Sequence, residues 1–140
     1  MGIEENKATV KRYIKEIMND LNYSHSDELA HQGFFGMGGK ITSMEEHEKL
    51  FRSQREKIPD LENRLVEMIA EGDKVVAISM VSGTDVGGYF SNPPTNKKIN
   101  VKVIAVYTLT DGKIAKGEIL SDLLTGYQQL GFYPPLPENK

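Results

Sequence analysis

KINVKVIAVYTLTDGKIAKGEILSD, residues 98–122, is the stretch on which the fold turns. Two runs rich in β-branched and apolar residues, Lys98 to Leu109 and Lys113 to Ser121, flank Thr110-Asp111-Gly112 and read as a hairpin. Their pairing decides which side chains share a face, because a slip of one residue turns a whole strand over. A two-residue Asp111-Gly112 turn places Tyr107 beside Lys116, Ala105 beside Glu118 and Val101 beside Asp122, which mixes charge into an apolar face. A three-residue loop with Gly112 left-handed in a bulge pairs Thr108 with Ile114, Val106 with Lys116, Ile104 with Glu118 and Lys102 with Leu120. Its opposite face is clean: Val101, Val103, Ala105, Tyr107 and Leu109, with Ala115, Gly117, Ile119 and Ser121. The bulged register is adopted. Ile104, Val106, Thr108, Glu118, Leu120 and Asp122 then share one face, assigned to a concavity beneath the helices.

The apolar face cannot lie open to water without forming a large sticky patch. A symmetry-related subunit is taken as its cover, so a homodimer through this face is expected. The other solution has the helices cover it and the charged face meet solvent.

Outward from the hairpin, Leu61 to Ala70 and Lys74 to Ser82 form a second one around Glu71-Gly72-Asp73. Between the hairpins, residues 83–96 are a long loop rich in Gly, Asn and Pro, a length at which loops are often functional. Upstream, Val10, Tyr13, Ile14, Ile17, Met18 and Leu21 recur at helical spacing and predict one continuous docked helix. Ser26 can cap a short second helix. Ser43 with Glu46 is a capping box opening a third, with His47, Leu50, Phe51, Gln54 and Ile58 inward and Pro59 at its end. A last helix, about Leu123 to Leu130, ends at Gly131. Helices followed by a meander of strands define the α+β class.

With 140 residues the chain fits one domain, with a core of about 6–131 and a Pro-containing tail of 132–140. Apolar residues are 39% and charged residues 26%, and no apolar run nears the ~18 residues of a membrane span. The N-terminus lacks the layout of a signal peptide, and a cytoplasmic location without membrane contact is expected. Absence of cysteine removes disulfides and thiolate zinc sites. A net charge of −3 with scattered lysines argues against nucleic acid. His25, His31 and His47 have no ligand spacing with acidic clusters, and no nucleotide motif is present, so neither metal nor cofactor is expected.

The ordered series Glu71-Gly72-Asp73-Lys74-Val75-Val76, Gly83-Thr84, Pro93-Pro94-Thr95, Lys97, Asp111-Gly112-Lys113-Ile114, Asp122 and Gln128-Gln129-Leu130-Gly131 resembles the SnoaL-like polyketide cyclases, or ester cyclases, of the nuclear transport factor 2-like superfamily. The resemblance covers about residues 6 to 131. It implies a cone-shaped α+β barrel whose curved antiparallel sheet encloses helices, usually oligomeric, with an apolar cavity. It also implies that Asp122 is the general acid and base of an intramolecular aldol closure, without metal or cofactor. Thr108 stands where an assisting histidine is usual, and Asp85 and Met37 occupy two further positions where histidine is common.

The expected function is therefore a cofactor-independent cyclase or isomerase of a small apolar or carbonyl-containing molecule, with Asp122 catalytic. The alternative is a noncatalytic binding protein of the same fold. Thr108, Glu118, Leu120, Ile104, Val106, Tyr13, Ile17, Phe35, Met37, Asp85 and Tyr89 are the expected substrate contacts, and Phe34 is assigned to core packing. An apolar cavity would raise the Asp122 pKa toward its task, while a helix N-cap would occupy the same oxygens.

Overall fold

The computed structural model describes residues 2–32, 43–88 and 93–132. Strands β1 (Glu62–Glu71), β2 (Lys74–Thr84), β3 (Lys98–Thr110) and β4 (Lys113–Ser121) form one antiparallel meander in the order β1-β2-β3-β4. Helices α1 (Ile3–Arg12), α2 (Ser26–Leu29) and α3 (Met44–Lys57) precede the sheet and α4 (Leu123–Leu130) follows it, an α+β arrangement.

The decisive hairpin resolves in a way that neither expected register described. Asp111 and Gly112 have φ of 53° and 77°, the two left-handed residues of a tight turn that matches strand twist, and Thr110 faces Lys113. Leu109 then faces Ile114, and the register shifts by one so that Thr108 faces Lys116, Val106 faces Glu118 and Ile104 faces Leu120. The bulge exists, but at Ala115 instead of in the turn. Each pair beyond it is displaced by two residues from expectation, and a displacement of two preserves the faces. Ile114 is the exception: it joins Leu109 on the buried side.

The direction of those faces is reversed. Ile99, Val101, Val103, Ala105, Tyr107 and Leu109 are all buried beneath the helices. Ile104 is 39% and Leu120 76% exposed, with Lys116 and Glu118 exposed beside them. The cause is the charge on the outer face, from Lys98, Lys102, Lys116 and Glu118. Burying an apolar side chain stabilises by about 1.5–3 kcal/mol, whereas an uncompensated buried ion costs several kcal/mol. The homodimer expected through the apolar face has no room there, because helices occupy it.

The helical layer starts with α1 and continues as a π-helical segment, Tyr13–Asn19, with Tyr13, Ile14 and Ile17 buried. Asp20 N–H reaches Lys15 O at 3.1 Å, the wider loop of a π-turn, and Leu21 closes the segment at φ 52° instead of extending the helical face. The Arg55 guanidinium donates to Met18 O and Asn19 O, carbonyls that the ending helix leaves unpaired. Helix α3 begins as its capping box requires, with Glu46 N–H donating to Ser43 Oγ at 3.2 Å. His47, Phe51 and Ile58 face inward, whereas Leu50 falls off that face.

Candidate functional site

Inward-facing positions of β2, β3 and β4, with Ile14 and Met18 of the π-helical segment and Phe51 and Ile58 above, enclose a cavity of about 620 Å³. Alternation explains its strand wall: Ala77, Ser79 and Val81 of β2 lie opposite Ala105, Val103 and Val101 of β3. The polar lining is sparse, namely Gln54, Asn63, Ser79, Tyr107, Ser121 and Tyr127. Among the described residues no carboxylate, lysine, arginine or histidine lines it. A second hollow of about 630 Å³ at one end of the sheet is lined by Asp60, Glu62, Arg64 and Lys98. Two of its polar side chains serve the chain itself: Asp60 accepts from Thr84 N–H and Oγ1–H at 2.7 Å each, and Gln129 clamps the backbone of Asn100.

Behind the enclosed cavity stands a buried polar chain. His47, 1% exposed, has Nε2 at 2.8 Å from Tyr13 Oη and Nδ1 at 2.7 Å from Tyr23 Oη. Its ring stacks on Phe51 with centroids 4.1 Å apart, and Tyr13 meets Tyr107 edge-on at 5.7 Å. Burial pushes the His47 pKa down from 6.5 to about 4. The ring is thus neutral at pH 7, donating to one tyrosine and accepting from the other. Burial also raises Tyr13 and Tyr107 well above the ordinary phenol value, so both remain protonated.

Asp122 does not face the cavity. It is exposed and caps α4, accepting from Thr125 N–H at 3.1 Å and from Thr125 Oγ1–H at 2.6 Å. Those bonds, the side-chain one foremost, hold its pKa below the ordinary carboxylate value, the opposite of the shift expected for an enclosed base. Its neighbours Ser121 and Leu123 do line the cavity, so Asp122 stands at the rim.

The other expected contacts separate into three groups. Thr108, Glu118, Leu120, Ile104 and Val106 lie on the outer face of the sheet, although Leu120 also reaches the cavity edge. There Lys74 Nζ donates to Thr108 Oγ1 at 2.9 Å, and Glu118 pairs with Lys116 at 2.8 Å, which lowers its pKa. Tyr13 and Ile17 are core residues that do not line the cavity, which takes Ile14 and Met18 from the same segment instead. Asp85 is buried and braces its loop, accepting from Thr95 N–H at 3.1 Å and Oγ1–H at 3.0 Å. Phe35, Met37 and Tyr89, like Phe34, lie outside the described residues. Tyr107 and Ser79 were not among the expected contacts, and alternation along the correct face is the signal that finds them. Among the described residues no group of three or more His, Asp or Glu could hold a metal ion, and no helix is long and apolar enough to cross a membrane.

A meander backed by helices around one enclosed, mostly apolar cavity defines a class of small cavity proteins. Within it, the family model of the SnoaL-like polyketide cyclases matches residues 8–130. The chain belongs to the SnoaL-like polyketide cyclase family. Its fold is shared by TsrD from Streptomyces laurentii, 23% identical with a TM-score of 0.81 over 95% of this chain and 99% of that one. IdmH from Streptomyces antibioticus is 20% identical, with a TM-score of 0.77 over 90% and 98% of the two chains. A SnoaL-like polyketide cyclase from Agrobacterium tumefaciens is 14% identical, with a TM-score of 0.78 over 94% and 100%. No curated protein matches the chain in sequence.

Proposed function

We propose that the chain binds a small, largely apolar carbonyl compound, of the kind a polyketide cyclase acts on, in the cavity between sheet and helices. The observation that carries this reading is the cavity itself: about 620 Å³, walled mostly by apolar side chains with a few placed polar groups. Substitution Ala105→Phe tests it, because Ala105 is buried in the strand wall. Titration with 2-acetylnaphthalene is expected to saturate at one site in the unsubstituted protein and to disappear in the variant. Binding that survives the filled cavity would place the ligand elsewhere and end this reading.

A second reading, cyclisation with Asp122 as acid and base, is favoured by one feature. Asp122 sits between two cavity-lining residues, Ser121 and Leu123, which keeps its carboxylate at the cavity rim. On a cognate substrate this reading expects Asp122→Asn to lower turnover by about 10²–10⁴. Ligand recovered unchanged, or turnover within a few fold of the unsubstituted protein, leaves binding alone. Self-association, displaced from the inner face, is proposed on the outer one, where Ile69, Val76, Ile78, Ile104 and Leu120 occupy neighbouring positions across the four strands.

A further inference from the structure

Tyr107 and Ser79 are only 1% and 3% exposed, and each carries a hydroxyl that makes no hydrogen bond to the described residues. Buried hydroxyls ordinarily find a partner, and an orphan costs stability. Neither oxygen is among the fully enclosed unpaired atoms, which are Asn6 Oδ1, Arg55 Nε and Asn63 Oδ1, so both hydroxyls open onto the cavity their residues line. The separation of the two residues' backbone positions follows from the register. Tyr107 lies opposite Val75 and Ser79 opposite Val103, four residues apart along the same face, or about 13 Å along the strands. The wall between them is Ala77, Ala105 and Val103, which offers only van der Waals contact.

We infer that Tyr107 and Ser79 are the two polar anchors of the cavity, selecting an elongated, uncharged ligand with an oxygen at each end and an apolar body between. This rests on the cavity-binding reading and specifies the ligand for it. The stronger donor, the Tyr107 phenol, takes a carbonyl oxygen. The Ser79 hydroxyl, able to donate and accept, takes a hydroxyl. A backbone separation of about 13 Å between the two anchors matches a body on the order of two fused rings. Uncharged ends are required because no cation lines the wall among the described residues, and a carboxylate left unpaired there is strongly disfavoured. The phenol stays a donor at working pH, since burial holds its proton.

Four fluorescent probes test the assignment: 6-hydroxy-2-acetylnaphthalene, 2-acetylnaphthalene, 2-naphthol and naphthalene. Tyr107→Phe is expected to weaken the two acetyl compounds about tenfold and leave 2-naphthol and naphthalene within twofold. Ser79→Ala is expected to weaken the two hydroxyl compounds and spare the others. Neither variant is expected to lower Tm without a probe, because neither hydroxyl has a partner to lose among the described residues. If naphthalene binds as tightly as the doubly substituted probe and neither variant discriminates, this inference falls and cavity binding stands. If a variant lowers Tm and weakens all four probes alike, the hydroxyl is structural and the inference also falls. If none of the four binds the unsubstituted protein, the cavity-binding reading falls and takes the inference with it.

Discussion

On β3 the two faces of the sheet alternate residue by residue, yet they meet opposite surroundings. Ile99, Val101, Val103, Ala105, Tyr107 and Leu109 are buried against helices, while Lys98, Asn100, Lys102, Ile104, Val106 and Thr108 look outward. Both faces carry branched apolar side chains, so apolarity alone does not choose between them. Charge does. Exposing Ile104 and Leu120 forgoes roughly 1.5–3 kcal/mol each, whereas enclosing Lys102, Lys116 and Glu118 costs several kcal/mol per ion. The face that can be buried is the one with nothing expensive on it. Asp122 belongs to the same sorting, since its place at the rim leaves it a solvated cap of α4.

The contrast breaks most directly at one pair of neighbours on β2. Val75 is fully buried and Val76 points the other way. Val75→Asp is expected to lose about 3–5 kcal/mol in urea denaturation, and Val76→Asp less than about 1 kcal/mol. Equal losses would mean that the two faces are not sorted by the cost of charge.

Acid probes the buried side more gently. As pH falls, unfolded His47 takes a proton near 6.5, but folded His47 only near pH 4. The unfolded state therefore binds the proton first. Stability is complete above about pH 6.5 and declines as pH drops toward 4, by about 3 kcal/mol from this residue. The urea midpoint of His47→Gln is expected to fall less between pH 7 and 4.5 than that of the unsubstituted protein. Matching slopes would show that His47 ionises freely inside the fold.

The smallest effect on stability is expected outside. Ile104→Lys combined with Leu120→Lys is expected to change stability by about 0.5 kcal/mol or less, since both side chains are already partly or largely in water. Light scattering at micromolar concentration is the informative measurement. A dimer in the unsubstituted protein and a monomer in the double variant support assembly through this face, and a monomeric unsubstituted protein removes it.

Most elements were legible because their signals are local. Ser43 accepts from Glu46 N–H as the capping box implied, Gly131 is left-handed at φ 88°, and β4 spans Lys113–Ser121 as the alternation indicated. The π-helical segment was not legible, because its residues keep an ordinary helical apolar spacing up to Met18 and nothing local marks the change. Nor was the bulge at Ala115, since a glycine in the turn is an equally good place for an extra residue. The polar chain behind the cavity was hidden for another reason: Tyr13, Tyr23 and His47 come from three separate segments and meet only after folding.

From sequence alone came the α+β class, the two hairpins, the Ser43 and Gly131 helix caps and the family, each carried by patterns within a few residues or by an ordered series of such patterns, whereas Ser26 is the first helical residue of α2 and makes no cap bond. The packing decided which sheet face met the helices, that Asp122 caps a helix at the rim, and that Tyr107 and Ser79 open into the cavity. Alternation along a strand names two faces but not their directions. A direction exists only once a helical layer lies on one side, where the balance between buried ions and buried apolar surface is struck over the whole sheet at once.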